Sequence, residues 1–399
     1  MIALRELHQH PAAALAASTL SIALGALPVF LVGALAVFIR PELGFGESRL
    51  GALATIYYLA SAGLTWFGGK IAERLGGPKA MAVAASISLL SSLGIGLIAR
   101  SWTALAVFLA IAGVGNALAY PASNLAVARG VPFRRQGVAF GVKQSSALYA
   151  TLVSGAAVPL VGATIGWRWA FGFAALATLP VIAGYGIKQG AGHHERSGDV
   201  HVERGPVWML AGGAFFAVYA TASLGSFYVE SAVAGGASAS TAGYLLAMGS
   251  FIGVAGRVGW GWFGDVRRDL HFVVVPSLLA AGALAFALIG AVRSTPALVI
   301  ATVLVFGAGW AWPSLLNFGV IARSPRGPAT ASGMLGTGQF GGGILGPLTF
   351  GLLVERSGYQ SAWTAAAVAL GIASALTFSG GRWLERRTTT TTATKEMST

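Results

Sequence analysis

The feature that most constrains the fold of this chain is a series of apolar segments, each long enough to cross a membrane. A helix needs about 20 apolar residues to cross the hydrocarbon core of a bilayer. Only 10% of the 399 residues are charged, against about 25% in soluble domains. We therefore predict an all-α integral membrane protein with twelve transmembrane helices. These are numbered span 1 to span 12 and expected at 12–38, 49–68, 80–99, 102–127, 138–163, 169–188, 207–233, 239–263, 272–292, 296–321, 329–354 and 362–380.

The basic residues lie mostly in the gaps between the segments, and they are divided unevenly. With both termini in the cytoplasm, the inner gaps and termini hold 18 Lys and Arg residues and the outer gaps hold 6. This bias follows the positive-inside rule. We therefore call the end of each span on the Lys- and Arg-rich side its inner end, and the opposite end its outer end. We expect no nucleic-acid partner, because the net charge of +13 is confined to these short gaps.

An internal repeat relates the two halves of the chain. Trp-Phe-Gly, followed by an acid and then bases, occurs at 66–74 and again at 262–268, and Pro121 has a counterpart in Pro313. Each copy holds six predicted spans, an arrangement typical of transporters whose halves are related by an axis along the membrane normal. We predict halves at 1–187 and 207–381, a cytoplasmic linker at 188–206 and a disordered tail at 382–399.

The segment between spans 2 and 3 resembles the loop signature of the major facilitator superfamily, Gly-x-Leu-Ala-Asp-Arg-x-Gly-Arg-Lys. From Gly69 the chain reads GKIAERLGGPK, with Glu in place of Asp. The resemblance implies two six-helix halves around a central cavity, and transport by alternating access without enzymatic chemistry. Acids and bases at neighbouring helix ends can pair and separate during such a cycle. This predicts an inner conformational gate formed by Gly69, Glu73, Arg74, Gly261, Asp265 and Arg268.

Three ionisable side chains fall inside the predicted spans: Lys143, Glu230 and Arg257. A charge at membrane depth needs compensation and indicates a functional site. We expect Lys143 and Arg257 to bind substrate, and Glu230 to serve as a proton site or an outer gate. Alternatives stay open, since Lys143 could reach the inner headgroups and Glu230 the outer interface. Arg257 could instead pair with Asp265 along its own helix.

Uncharged polar side chains in the spans are expected to face the cavity, because polar groups facing lipid are unfavourable. The alternative for each of them is a hydrogen bond between helices. Besides the two cations, the predicted substrate-binding residues are Asn116, Tyr120, Asn124, Gln144, Tyr219, Trp310, Asn317 and Gln339.

Two cations against one carboxylate inside the spans predict a small organic or inorganic anion as the cargo. The Arg-x-x-x-Gly-x-x-x-Asp face of span 8 is similar to that of monocarboxylate and oxalate porters. Lys-Gln-Ser at 143–145 and Gly-Trp-Arg at 166–168 resemble the bacterial cyanate-permease-like branch of the superfamily, which implies a bacterial cytoplasmic membrane. Efflux of amphipathic drugs or metabolites is the alternative, favoured by the Tyr and Trp residues that are expected to line the cavity. A receptor that transports nothing is a third hypothesis.

The expected partners are a small-molecule substrate and the lipid bilayer, with protons as a candidate coupling ion for symport. We expect a monomer without cofactor or metal. The histidines at 193, 194 and 201 lie in the linker without the spacing of metal ligands. The gaps also contain no phosphate-binding loop for ATP.

Overall fold

The protein is described by a computed structural model covering residues 11–130, 141–184, 202–267, 270–292, 294–324 and 327–396. Within these ranges, nine helices are long and apolar enough to cross a membrane, and two shorter apolar helices accompany them, Ser146–Gly162 and Trp167–Ala183. The last long helix is two spans joined at Gly358, where φ is 77°. Counting that helix twice and adding the two short ones gives the twelve predicted spans. The predicted all-α membrane fold is therefore confirmed.

The N-terminal half contains spans 1 to 6. Span 1 is Pro11–Ala34 followed by the short helix Ala36–Leu43, and spans 2 to 4 are Glu47–Leu75, Gly77–Leu93 with the π-helical turn Gly94–Ile98, and Trp102–Gly130. Span 5 comprises residues 141–144, Ser146–Ala157 and Val158–Gly162, and span 6 is Trp167–Ala183.

The C-terminal half contains spans 7 to 12. Spans 7 to 9 are Arg204–Ala234, Ala239–Val266 and His271–Ala291. Span 10 is interrupted into Thr295–Leu304, Val305–Gly309 and Pro313–Ala322, and spans 11 and 12 form Pro328–Glu396. The helix that contains span 12 ends at Glu396. The disordered tail expected at 382–399 stays a prediction.

Glycines with positive φ end corresponding spans in the two halves. Gly44 (φ 67°) follows span 1, and Gly236 (φ 96°) follows span 7, 192 residues later. Gly166 (φ 100°) follows span 5, and Gly358 (φ 77°) follows span 11, again 192 residues later. A residue with a Cβ is strained at positive φ, so Gly is the ordinary choice for such turns. The backbone therefore repeats the offset found in the sequence.

A row of glycines lets span 11 pack closely on span 7. Gly338, Gly342 and Gly346 are spaced by four residues and lie on one helix face. A Cβ on any of the three would overlap a backbone carbonyl oxygen of span 7. Small residues of this kind allow membrane helices to approach closely and pack by van der Waals contact.

The two halves meet along two seams, span 2 with span 11 and span 5 with span 8. A Cβ on Gly51 would overlap the carbonyl oxygen of Pro347, and one on Gly155 would lie 2.6 Å from the Ala247 nitrogen. Toward the inner ends of spans 2 and 11, a Cβ would meet nothing within 4 Å at Gly63, Gly69, Gly333 and Gly336. The closest glycine contacts between these two spans therefore lie toward the outer end of the seam.

Candidate functional site

A cavity of about 170 Å³ lies between the two halves and is lined by residues from spans 1, 2, 4, 5, 7, 8, 10 and 11. No Asp or Glu occurs among these lining residues, although two cations do. Seven of the predicted substrate-binding residues line it: Asn116, Tyr120, Lys143, Gln144, Arg257, Trp310 and Gln339.

Arg257 of span 8 is held in place by backbone carbonyls of two other spans. Its side chain is buried, with the residue 2% exposed. Nε donates to the carbonyl oxygen of Trp310 at 2.9 Å, and Nη1 donates to that of Gln144. No contact among the described residues engages Nη2. Both partners are neutral, so the fixed guanidinium keeps its full positive charge at the cavity.

Lys143 of span 5 is also 2% exposed. Its ammonium group donates to Oδ1 of Asn124 and lies 4.8 Å from the centre of the Tyr120 ring. A cation over an aromatic face is attracted by the negative charge of the π system. The ammonium group is therefore directed at span 4, rather than toward the inner headgroups. Asn124 itself is exposed and is not among the lining residues of the cavity.

The repeat places different chemistry at equivalent positions of the two halves. In the N-terminal half, Asn116 of span 4 donates through Nδ2 to Oγ of Ser61 in span 2, at 2.7 Å. In the C-terminal half the equivalent contact joins Arg257 of span 8 to Trp310 of span 10. Each contact ties corresponding helices together, but only the second places a charge at the cavity.

Besides Asn124, two more of the predicted substrate-binding residues lie elsewhere. The Tyr219 hydroxyl accepts a hydrogen bond from Thr349 at 2.8 Å, between spans 7 and 11. Asn317 donates through Nδ2 to the carbonyl oxygen of Pro313 at 2.8 Å, within its own helix. Neither residue is among those lining the cavity. Conversely, Trp312 lines the cavity, as expected for a polar side chain of span 10, although it was not among the predicted substrate-binding residues.

The predicted inner gate is only partly described. Glu73 and Arg74 have exposed side chains in the last turns of span 2, and Gly261 is buried in span 8. The backbone of Asp265 belongs to the last turn of span 8, and Arg268 lies outside the described residues. The pairing of acids and bases across this gate remains a prediction.

The outer ends of the two halves are joined by an ion pair between Arg40 and Glu230. Arg40 lies in the short helix Ala36–Leu43, and Glu230 lies near the end of span 7. The same guanidinium also pairs with Glu47 at the start of span 2, at 2.8 Å. A second link between the halves is formed by Oε1 of Glu355, which accepts bonds from the backbone nitrogen and hydroxyl of Ser48, both at 2.9 Å. We call Arg40, Glu47 and Glu230 the outer latch.

A further ion pair lies within the N-terminal half. Glu42 accepts a hydrogen bond from Nε1 of Trp167 at 2.6 Å and pairs with Arg168 at 2.6 Å. Burial acts to raise the pKa of Glu42, but the bonds from Trp167 and Arg168 and the charge of Arg168 outweigh it, so the pKa is lowered. This pair fixes the outer end of span 1 to the turn before span 6.

Comparison with known proteins gives a family match and several relatives. The family profile described as Major Facilitator Superfamily matches residues 13–347. A curated relative, the "Probable sulfoacetate transporter SauU" of Cupriavidus necator, is 29% identical over 136 residues, which cover 34% of this chain and 31% of that protein. The matched stretch thus spans about a third of the relative's length.

Crystal structures of similar fold extend over almost the whole chain. A bacterial homolog of the human lysosomal transporter Spinster, inward-facing and occupied, matches with a TM-score of 0.70 and 19% identity, covering 92% of this chain and 96% of that one. The human organic anion transporter MFSD10 (TETRAN) matches with a TM-score of 0.66 and 16% identity, covering 91% and 98%. Since the family profile covers most of the sequence and the fold agrees, the chain belongs to the Major Facilitator Superfamily.

Proposed function

We propose that this transporter moves a small organic or inorganic anion across the membrane by alternating access. The observation that carries the proposal is Arg257, a buried cation whose hydrogen-bond partners are two neutral carbonyls. A buried charge without a counter-ion is costly, and the cost falls when an anion binds beside it. The composition of the cavity lining supports the same conclusion, because it supplies Lys143 as a second cation and no carboxylate.

The relatives agree with this proposal. Sulfoacetate, the cargo for which the curated relative is named, carries a carboxylate and a sulfonate. Organic anions are the cargo named for the human transporter of similar fold. Neither name assigns a substrate to this chain, but both fit a cavity with excess positive charge.

The size of the cavity favours a small anion over the alternative, efflux of amphipathic drugs. Pockets that bury drug-sized ligands have volumes of about 300–1,000 Å³. The cavity measures about 170 Å³, which suits a molecule of a few non-hydrogen atoms. The aromatic residues of its wall, such as Trp310 and Tyr120, are engaged with the two cations.

For the transport cycle we infer that the outer latch holds the outer side closed in the state described here. Glu230 is paired with Arg40 across the halves, which favours a gate over an unpaired proton site. We infer that the cavity exchanges substrate with the inner side, which is supported by the open space beside the glycines near the inner ends of spans 2 and 11. The bias of Lys and Arg supports placing both termini in the cytoplasm. We place the chain in a bacterial inner membrane, which is supported by its bacterial relative.

A thermal-shift screen of purified protein tests the proposal. A ligand that binds only the folded state stabilises it by about 2.7 kcal/mol at 100 times its Kd. Acetate, cyanate, malonate and sulfoacetate form the anion panel, and cationic amphipathic drugs form the second panel. We expect one or more anions to raise the Tm, and the rise to disappear in Arg257→Gln.

The matched control for that variant is Lys70→Gln. Lys70 is an exposed cation near the inner end of span 2, where its ammonium lies 3.6 Å from the centre of the Trp66 ring. Its removal changes the net charge equally but leaves the cavity intact, so the anion response should persist. A Tm that rises with the drugs and with none of the anions would contradict the proposal.

A further inference from the structure

Two hydrogen-bond donors of the cavity wall are buried and have no partner among the residues that the structure describes. They are Nε1 of Trp312 in span 10 and Nε2 of Gln339 in span 11. Both residues line the same cavity as Arg257 and Lys143. Trp312 is only 1% exposed. Natural proteins keep few buried polar groups unpaired, and each one calls for an explanation.

The chemistry of these donors says what kind of group would satisfy them. The indole nitrogen of Trp312 can only donate a hydrogen bond, and the amide nitrogen of Gln339 likewise donates. Their missing partner is therefore an acceptor, such as a carboxylate, sulfonate or carbonyl oxygen. Arg257 already offers Nη2 to the acidic group of the substrate, so these donors are available to a second group.

Asn116 of span 4 offers one more polar position at the opposite wall. Its Oδ1 is also buried and has no partner in the described part of the chain, while its Nδ2 donates to Ser61. The Ser61 hydroxyl can donate as well as accept. A half-turn of the Asn116 amide would therefore keep the bond to Ser61 and replace the unpaired acceptor with a donor.

We propose that the substrate is a short bifunctional acid, with one acidic group at Arg257 and Lys143 and a second oxygen-bearing group received by Trp312 and Gln339. The class includes short dicarboxylates, sulfocarboxylates and oxo-acids, and it excludes simple monofunctional anions as good substrates. This inference rests on the proposed anion transport, because it assigns the second end of the same ligand. Arg257, Trp312 and Gln339 belong to the C-terminal half and Lys143 to the N-terminal half, so the ligand would contact both halves.

Matched ligand pairs test the second group. Calorimetric titration of the purified protein compares acetate with malonate, and methanesulfonate with sulfoacetate, on wild type and on Trp312→Phe. Phe keeps an aromatic ring and removes the N–H. We expect wild type to bind the bifunctional member of each pair at least about tenfold more tightly, which is the ratio that one hydrogen bond to a charged group provides. In Trp312→Phe this ratio should fall by about tenfold, while binding of the monofunctional member stays close to wild type.

The outcomes separate this inference from the proposed function. If the monofunctional anions bind as tightly as their bifunctional partners, or if Trp312→Phe weakens both equally, the bifunctional substrate is refuted and anion transport stands. If wild type binds no anion of either kind, the proposed function itself fails. Gln339→Leu provides a second variant with the same expected fall in ratio, in case Trp312→Phe does not fold.

Discussion

Replacing Glu230 with Gln should open the outer side of the transporter. Arg40 pairs with Glu230 across the halves and with Glu47 in its own half. When the halves separate at their outer ends, Arg40 keeps Glu47 and loses only Glu230. The Glu230→Gln variant therefore removes an interaction that exists in the outer-closed state alone.

The size of the effect follows from the burial of the pair. Only 16% of the Arg40 side chain and 10% of the Glu230 side chain are exposed. Fully exposed ion pairs contribute about 0–1 kcal/mol, and hydrogen bonds to charged groups contribute about 1.5–3 kcal/mol. A partly buried pair of about 1.5 kcal/mol corresponds to roughly a tenfold change in an equilibrium constant. We expect the ratio of outer-closed to outer-open molecules to fall by about that factor.

Spin-label distances across the outer side measure this ratio. The chain contains no cysteine, so Ala163→Cys and Ser357→Cys create the only labelling sites. Both positions are exposed, one after span 5 and the other after span 11. Electron-electron double resonance would then report a short distance for the outer-closed state and a long one for the outer-open state. The long-distance fraction should rise in Glu230→Gln.

Glu47→Gln is the matched control, because it removes a carboxylate from the same arginine within one half. That pair survives opening, so its loss should leave the distance distribution close to that of the unmutated, doubly labelled protein. The latch argument fails if both variants shift the distribution equally, or if Glu230→Gln leaves it unchanged.

Two further predictions concern the outer ends of the spans. Gly51→Ala should disfavour the outer-closed state and lower the Tm, because its Cβ would overlap the carbonyl oxygen of Pro347. Gly63→Ala is the control, since a Cβ there has open space and should change neither quantity. Equal distance distributions and Tm values for the two variants would contradict the packing argument. The lowered pKa of Glu42 means that its contribution to stability is present above the ordinary value of 4.5 and is lost as the pH falls through the lowered folded-state value. The Tm should therefore depend less on pH between pH 6 and pH 3 in Glu42→Gln than in the wild type. The difference should be small, because 47% of the Glu42 side chain is exposed. An unchanged pH dependence would refute this role for the contacts of Glu42 with Trp167 and Arg168.

The fold could be predicted from the sequence because its determinants are local. Apolar length defines each span, and the lipid solvent requires every span to satisfy its own backbone hydrogen bonds. The positive-φ glycines at the ends of spans, such as Gly166 and Gly358, are also local features repeated in both halves. These signals predicted the twelve spans and the repeat without any knowledge of tertiary contacts.

The membership of the site could be predicted only in part, because membrane helices are apolar on most faces. Hydrophobic periodicity then does not reveal which face meets the cavity. Tyr219 and Asn317 were expected to face the cavity because they are polar. The Tyr219 hydroxyl instead forms a hydrogen bond with span 11, and the Asn317 side chain forms one within its own helix. The partner of Glu230 was equally hidden, because Arg40 lies 190 residues away in the sequence and was counted only as an outer-loop cation.

The anion hypothesis came from the signs of the charges inside the predicted spans, without knowledge of where these residues lie in the fold. Counting Lys143 and Arg257 against a single in-membrane carboxylate was enough to suggest the sign of the cargo. The structure adds that the carboxylate, Glu230, is paired at the outer end and is not among the residues lining the cavity. The two cations do line it, with Arg257 fixed by carbonyls of Trp310 and Gln144.

The most direct test of the central claim is counterflow of a radiolabelled bifunctional anion, such as sulfoacetate or malonate, into proteoliposomes loaded with the same unlabelled anion. We predict rapid exchange by the wild type and by Lys70→Gln. In Arg257→Gln the apparent affinity should fall by about 10–100-fold, the equivalent of one charge-assisted hydrogen-bonded contact. Exchange by Arg257→Gln at the wild-type rate and affinity would contradict the claim that this buried guanidinium binds the transported anion.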